Sequence, residues 1–192
     1  MAKYLIVGLG NVGNEYANTR HNIGFDVVNA LIQKHGAALQ VSRLAYTGEI
    51  KWKGRQLKCI CPTTFMNLSG KAFKYWMDKE KIPLENTLTI VDDLALPLDK
   101  LRLRPGGTHA GHNGLKDIQN TLGTDSYPKL RFGIGNQYPK GMQVDFVLSK
   151  WLSNELPTVQ LKVEKCVGII EDFVTVGIEK TMNEVNKLSI QA

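Results

Sequence analysis

The chain has 192 residues, of which 43% are hydrophobic and 22% charged, and its formal net charge is +6. This length is enough to bury one core, so we expect a single domain over residues 1–192. No apolar run approaches the roughly 20 residues of a membrane helix, and the first residues show no signal-peptide pattern, so we expect a cytoplasmic protein with no membrane contact.

The first half of the chain alternates strand and helix patterns. A short apolar run over Tyr4–Leu9, stopped by glycines, predicts a buried strand, and the apolar spacing over Ile23–His35 predicts a helix. The runs Tyr46–Lys53 and Gln56–Cys61 flank a Lys-Gly turn and predict a hairpin. Leu68–Lys81 carries one apolar face and predicts a helix that ends before a proline.

The second half continues this alternation. Thr87–Val91 predicts a second buried strand, and the alternating Leu98–Arg104 predicts an edge strand. A short helix, a strand and two longer helices are predicted over Leu115–Leu122, Lys129–Gly135, Leu156–Val176 and Lys180–Leu188. Alternating strands and helices indicate an α/β fold, with a twisted mixed, largely parallel sheet surrounded by helices.

A glycine motif after the first strand admits two interpretations. Segment 8–13, GLGNVG, matches the dinucleotide-binding pattern G-x-G-x-x-G. That pattern requires a helix to begin at the glycines and face a pyrophosphate, but the following residues are polar until about Phe25. No acidic residue ends a second strand about 20 residues later, as ribose binding requires. We therefore interpret the glycines as a tight turn that aims Asn11 into a cleft, with a nicotinamide enzyme as an alternative.

Two residues suit the activation of water. His21 lies between polar neighbours just before a predicted helix, and imidazole is the side chain that most often serves as a general base. Asp92 and Asp93 follow the apolar run of the second buried strand. If Asp92 reaches His21, it would fix the tautomer and stabilise the imidazolium. Since no serine or cysteine lies in a nucleophile elbow, we expect water to be the nucleophile.

Three asparagines, Asn11, Asn67 and Asn113, lie in polar turns near strand ends. Each could simply support a turn, and Asn67 could cap the helix that follows. Their amides could also donate hydrogen bonds to an ester carbonyl as its oxygen becomes negative. Loops at the carboxyl ends of strands are where α/β proteins bind ligands, so we expect these residues to converge.

Cysteines and histidines do not predict a metal centre. Cys59, Cys61 and Cys166 are too few for a disulfide framework and are interpreted as core side chains. A zinc site that draws on His109 and His112 would lack a second cysteine pair, so no metal is expected.

Cations are concentrated in the stretch 100–140, where only Asp117 and Asp125 oppose them. This asymmetry indicates a basic patch that faces phosphates, although a solvated lysine-rich face is an alternative. The seven cations of this stretch are Lys100, Arg102, Arg104, Lys116, Lys129, Arg131 and Lys140.

Five segments between Leu5 and about Phe146 resemble the bacterial peptidyl-tRNA hydrolase family. They are GLGNVGNEYANTRHNIGF, PTTFMNLSGKA, VDDLALPL, GGTHAGHNGLKDI and LRFGIG. The resemblance implies cleavage of the ester between a peptide and the 3′-terminal ribose of tRNA, without metal or cofactor. It implies that His21 is the catalytic base and Asp92 its orienting carboxylate.

The resemblance also implies how substrate is held. The enzyme is expected to act as a monomer without an obligate protein partner. The cations that would meet the acceptor stem are Lys100, Arg102, Arg104, Lys129 and Arg131. The substrate-binding residues would be Asn11, Asn67 and Asn113, which hold the peptide backbone and the CCA end, and Tyr16, Met66 and His112, which line the site.

The sequence departs from the family pattern without touching the proposed base or its carboxylate. The family usually has proline in place of Val12 and a polar residue in place of Val91. It usually has aspartate in place of Ala95 and glycine in place of Asp99, so loop position or substrate affinity could differ. Two rival functions are an RNA-binding module on the same fold and an esterase for small acylated metabolites. An intact His21 and Asp92 argue against the first, and the basic stretch argues against the second.

Overall fold

The computed structural model describes residues 1–192, which form one seven-stranded sheet with helices on both faces. The strand order is β2-β3-β4-β1-β5-β7-β6. The strands are β1 (Ala2–Gly8), β2 (Gln40–Ser42), β3 (Ala45–Trp52), β4 (Arg55–Pro62), β5 (Thr87–Asp93), β6 (Leu101–Arg104) and β7 (Lys129–Gly133).

The centre of the sheet is parallel and its margins are antiparallel. Strand β1 pairs in parallel with β4 and β5, and β5 pairs in parallel with β7. The β3–β4 hairpin, the β2–β3 pair and the β6–β7 pair are antiparallel. The predicted α/β class and mixed sheet are confirmed, and β6 lies at the edge of the sheet as predicted.

Six helices complete the fold, and five of them overlap the five helices predicted from the apolar patterns. They are α1 (Ile23–Lys34), α2 (Ser69–Lys79), α3 (Asn113–Leu122), α4 (Gln143–Val147), α5 (Leu156–Val176) and α6 (Ile178–Val185). The sequence did not predict β2 or α4, which are short. No helix has the length and apolar character needed to cross a membrane.

Alternating side chains divide the core into two layers. Along β1, Ile6 packs in the larger cluster with residues of α1 and α5, whereas Leu5 and Val7 pack in the cluster that includes α2 and α3. Cys59 and Cys61 both lie in the larger cluster, as their alternation predicted, and Cys166 joins them. Burial raises the pKa of Cys59 to about 12, which keeps this core thiol protonated.

The first glycine of the GLGNVG motif allows α1 to approach the sheet. A Cβ on Gly8 would lie 2.2 Å from the carbonyl oxygen of Gly24, and one on Gly24 would lie 2.4 Å from the backbone nitrogen of Leu9 and 2.5 Å from the carbonyl oxygen of Ile90. The start of α1 therefore lies directly on the ends of β1 and β5. Among the glycines of the motif, Gly13 has positive φ, 113°, as a turn requires, and Asn11 lines a cleft as predicted. Gly8 does not have positive φ, and its lack of a side chain instead allows the close packing that brings the turn before α1 to β5.

Candidate active site

One cleft of about 670 Å³ gathers the polar segments that the sequence singled out. All eight predicted catalytic and substrate-binding residues line it: Asn11, Tyr16, His21, Met66, Asn67, Asp92, His112 and Asn113. The segments with Asn11, Asn67 and Asp92 lie at or after the ends of the parallel strands β1, β4 and β5, as expected. The segment with His112 and Asn113 follows β6, which is antiparallel to β7, and the end of β6, Arg104, pairs with the start of β7. The loop 105–112 must run back along the sheet to bring His112 to the end of β5.

His21 and His112 both contact Asp92, which is the centre of the site. The Nδ1 atom of His21 lies 2.9 and 3.0 Å from the two carboxylate oxygens, and the Nε2 atom of His112 lies 3.0 Å from Oδ1. The Asp92 side chain is 3% exposed. His21 belongs to the 3₁₀ turn Arg20–Asn22, which precedes α1 and contacts β5.

The helix cap of α3 fixes the protonation of His112. Its Nδ1 atom accepts hydrogen bonds from the backbone N–H groups of Gly114 and Leu115, at 3.1 and 3.3 Å. Because a nitrogen that accepts cannot carry the proton of the neutral ring, Nε2 is protonated and donates to Asp92. His112, and not an asparagine, is therefore the N-cap of α3.

The carboxylate then accepts from both rings. Burial by itself raises the pKa of Asp92, but the charges and hydrogen bonds of His21 and His112 lower it, and the net pKa is lower than usual. An ionised Asp92 requires Nδ1 of His21 to carry a proton. In the neutral tautomer of His21 with this proton, the lone pair that can act as a base is on the other ring nitrogen, Nε2.

The same three residues have the spacing of a metal site, since one ligand atom from each lies within 4.8 Å of the others. A metal would need an unprotonated Nε2 on His112. The proton would then move to Nδ1, where two backbone N–H groups already point at it. A metal-binding histidine normally donates its second N–H to an acceptor, so this donor set does not suit a metal.

Buried Arg20 anchors the turn that carries His21. Its guanidinium pairs with Glu155 at 2.7 Å, hydrogen-bonds to Ser149 and stacks 4.3 Å from the centre of the Phe146 ring. The turn is thereby tied to α4 and the segment that follows it. Residues of α4 line the cleft, so this anchor couples one wall of the cleft to the base.

Asn11 is held by two neighbouring segments. Its backbone N–H donates to Oδ1 of Asn22 at 2.8 Å, and its carbonyl accepts from Nδ2 of Asn22 at 2.9 Å. Its side-chain Oδ1 accepts from the backbone N–H of Met66 at 2.7 Å. Beside this contact, Phe65 has φ 59° and ψ 157°, a strained conformation for a residue with a side chain. The strain presents the half-exposed Phe65 ring to the cleft.

Asn67 and Asn113 are exposed at the mouth of the cleft. The prediction that Asn67 caps α2 is wrong: Leu68 holds the cap position, and Asn67 lies in the preceding 3₁₀ turn. Asn113 begins α3, directly after His112.

The predicted basic surface is divided by burial. Arg102 and Arg104 are exposed and share one face of β6. Arg131 lies across from Arg102 on β7 and lines the cleft, but it is only 8% exposed, and its guanidinium donates to the carbonyl of Thr108 at 2.6 Å. Lys129 is fully buried, with its ammonium bonded to the carbonyls of Asp125 and Tyr127, so its predicted contact with a phosphate is wrong. The ammonium of Lys100 donates to the carbonyl of Leu188, at 3.2 Å.

Sequence reasoning missed the apolar wall of the cleft. This wall comes from Phe65, from the loop after β5 and from α4, whose five residues are too few for a clear periodic signal. The additional lining residues include Leu94, Ala95, His109, Tyr138, Val144, Val147 and Leu148.

Comparisons with known proteins identify the family and agree with the fold. The protein-family model for peptidyl-tRNA hydrolase matches residues 5–192. Relatives named peptidyl-tRNA hydrolase include one from Phocaeicola vulgatus, 54% identical over 185 residues (96% of this chain, 99% of the relative), and one from Bacteroides fragilis, 52% identical with the same coverage. The crystal structure of peptidyl-tRNA hydrolase from Acinetobacter baumannii is 34% identical, with a TM-score of 0.91 over 97% of this chain and 95% of that one.

Proposed function

The chain belongs to the peptidyl-tRNA hydrolase family and hydrolyses the ester between a peptide and the 3′-terminal ribose of tRNA, and we propose that His21 and Asp92 carry this reaction. The observation that supports the assignment is the double contact of Asp92. Because it accepts from His112 and from Nδ1 of His21, the one basic nitrogen left in the triad is Nε2 of His21.

In the proposed reaction, Nε2 of His21 takes a proton from a water molecule as its oxygen attacks the ester carbonyl. Asp92 stabilises the imidazolium that forms, and its lowered pKa keeps it from taking the proton itself. The tetrahedral intermediate then collapses. The bond from carbon to the ribose oxygen breaks, and the imidazolium returns its proton to that oxygen, which leaves free tRNA and a peptide carboxylic acid.

We propose that the cleft and its margin divide the substrate between them. Asn11, Asn67 and Asn113 offer amides to the peptide backbone and the CCA end, and Tyr16 and Met66 line the site beside them. The exposed Arg102 and Arg104, together with Arg131 in the cleft, would meet phosphates of the acceptor stem.

We further propose that residues 1–192 act as one domain, as a monomer, in the cytoplasm. Peptidyl-tRNA as substrate supports this location. All the residues assigned to the reaction come from this one chain, so the site needs no second copy to be complete.

The substrate class is tested by comparing three esters: N-acetyl-aminoacyl-tRNA, aminoacyl-tRNA with a free amine, and p-nitrophenyl acetate. We expect rapid cleavage of the first, with kcat/KM far below it for the other two, because the asparagines bind a peptide group that both lack. Equal kcat/KM for the acetylated and free aminoacyl-tRNA would contradict the proposed role of the asparagines. Preferred cleavage of the small ester would favour the metabolite esterase.

A further inference from the structure

The Asn22 side chain holds both backbone polar groups of Asn11. Its Oδ1 accepts from the N–H of Asn11 at 2.8 Å, and its Nδ2 donates to the carbonyl of Asn11 at 2.9 Å. Asn22 is 4% exposed, so water competes little for these bonds. It follows His21 in the same 3₁₀ turn. One side chain therefore ties the backbone of Asn11 to the turn that carries His21.

The direction of the Asn11 amide is also fixed. A backbone N–H can only donate, so the atom 2.7 Å from the nitrogen of Met66 must be the oxygen of the Asn11 amide. The opposite end, the Nδ2 group with its two protons, has no partner in the protein. Asn11 lines the cleft together with His21, so a committed donor stands in the site before substrate arrives.

The other two asparagines are not prepared in this way. Asn67 and Asn113 are exposed, and no hydrogen bond within the protein orients either amide. A donor stabilises a developing oxyanion most when its orientation is already set, since no reorganisation is then needed in the transition state. Asn67 and Asn113 suit binding of the ground state, where an amide can turn to fit.

We propose that Nδ2 of Asn11 is the donor to the oxyanion of the tetrahedral intermediate, and that Asn22 is the positioning residue that holds it there. This inference rests on the proposed hydrolytic role of His21. Asn22 joins the turn that carries the base to the backbone of Asn11, whose side chain in turn accepts from the Met66 N–H.

The test measures kcat and KM on N-acetyl-aminoacyl-tRNA for variants of the three asparagines. Asn11→Asp keeps an oxygen for the Met66 N–H but replaces the donor with an acceptor, so we expect kcat to fall roughly 10²–10³-fold while KM changes little. Asn22→Asp keeps the acceptor for the Asn11 N–H but loses the donation to its carbonyl, and should lower kcat less than Asn22→Ala. Asn67→Ala is the matched control and should change KM more than kcat.

Non-additivity separates positioning from a general structural role. If Asn22 acts through Asn11, then Asn11→Ala combined with Asn22→Ala should be no slower than Asn11→Ala alone. Multiplied losses in the double variant would overturn the assignment of Asn22. If Asn22→Ala fails to fold, Asn11→Asp still tests the donor, and a kcat within threefold of the wild type would overturn it.

A parallel measurement on His21→Ala distinguishes failure of this inference from failure of the proposed function. Inactive His21→Ala with fully active Asn11→Asp would reject Asn11 as the donor and leave the base in place. Active His21→Ala would reject the base, and the inference with it.

Discussion

Replacement of Asp92 with asparagine changes which nitrogen of His21 carries the proton. The carboxylate accepts from Nδ1 of His21 at 2.9 and 3.0 Å and from Nε2 of His112 at 3.0 Å. An amide keeps one accepting oxygen and turns the other position into a donor. Oδ1 contacts both rings and Oδ2 contacts His21 alone, so the amide nitrogen of the Asp92→Asn variant lies 2.9 or 3.0 Å from Nδ1 of His21 at either position.

His112 cannot be the ring that changes. Its Nδ1 atom faces the backbone N–H groups of Gly114 and Leu115, and moving its proton there would set three N–H groups against one another. The amide oxygen must therefore face His112, and the amide N–H must face His21. The amide N–H group then takes the Oδ2 position, 3.0 Å from Nδ1 of His21, and we expect Nδ1 to accept from it, which moves the ring proton to Nε2 and removes the base.

The expected loss is large because the site is buried and the wrong tautomer is enforced. We expect kcat to fall roughly 10³–10⁴-fold in Asp92→Asn, as in a Ser-His-Asp triad with the same change. Asp92→Ala enforces no tautomer and should lose less. When His112→Ala is added to Asp92→Asn, the amide can turn its oxygen to His21, and about tenfold of the activity should return.

Single-turnover cleavage of N-acetyl-aminoacyl-tRNA gives these rates, and ¹⁵N NMR of the His21 ring reports the tautomer directly. If Asp92→Asn keeps kcat within tenfold of the wild type, or if His112→Ala makes it slower still, the tautomer argument is wrong.

Three further predictions test the basic surface, the buried charges and the helix contact. Arg104→Glu and Arg131→Glu should raise KM and flatten its salt dependence. Lys165→Glu changes an exposed residue of α5 and should do neither. Equal effects of all three variants would place the tRNA elsewhere. Burial lowers the pKa of Lys162 from 10.5 to about 7, so above pH 7 the unfolded chain binds more protons than the folded one. The free energy of unfolding should therefore rise from pH 7 to 8.5, by at most about 1.4 kcal/mol per pH unit. Urea titrations should show a smaller rise with pH for Lys162→Met, and an unchanged rise would contradict this origin. Gly24→Ala places a Cβ 2.4 Å from the backbone nitrogen of Leu9, the residue that follows β1. This variant should lower the free energy of unfolding by about 1–3 kcal/mol and should also reduce kcat. Gly168→Ala meets no atom within 4 Å and is the control; equal thermal shifts for the two glycine variants would refute the packing argument.

Much of the fold could be predicted because its elements carry strong local patterns. The helix predicted over Leu156–Val176 has those bounds in the structure, and the predicted hairpin is formed by β3 and β4. Short elements carry weaker patterns, which explains why α4, with five residues, was not predicted. Its position is fixed by long-range contacts such as that between Arg20 and Phe146, which no local pattern reveals.

The site could be predicted in membership but not in detail. Motifs brought His21, Asp92 and the asparagines together, but the role of His112 depends on contacts at both ring nitrogens that only the fold provides. For Lys129, the sequence predicted a surface contact for a side chain that is buried. Charge in the sequence does not say where a side chain points, and both faces of β7 are buried.

We propose above that His21 activates water without a metal. Cleavage of N-acetyl-aminoacyl-tRNA in the presence of EDTA tests this most directly, with spermidine added to keep the tRNA folded. Wild type and His21→Ala are compared, with equal thermal stability as the check on folding. The account predicts rapid cleavage by the wild type and a loss of roughly 10²–10⁴-fold in kcat for His21→Ala. Wild-type activity that EDTA abolishes and zinc restores, or a fully active His21→Ala, would contradict it.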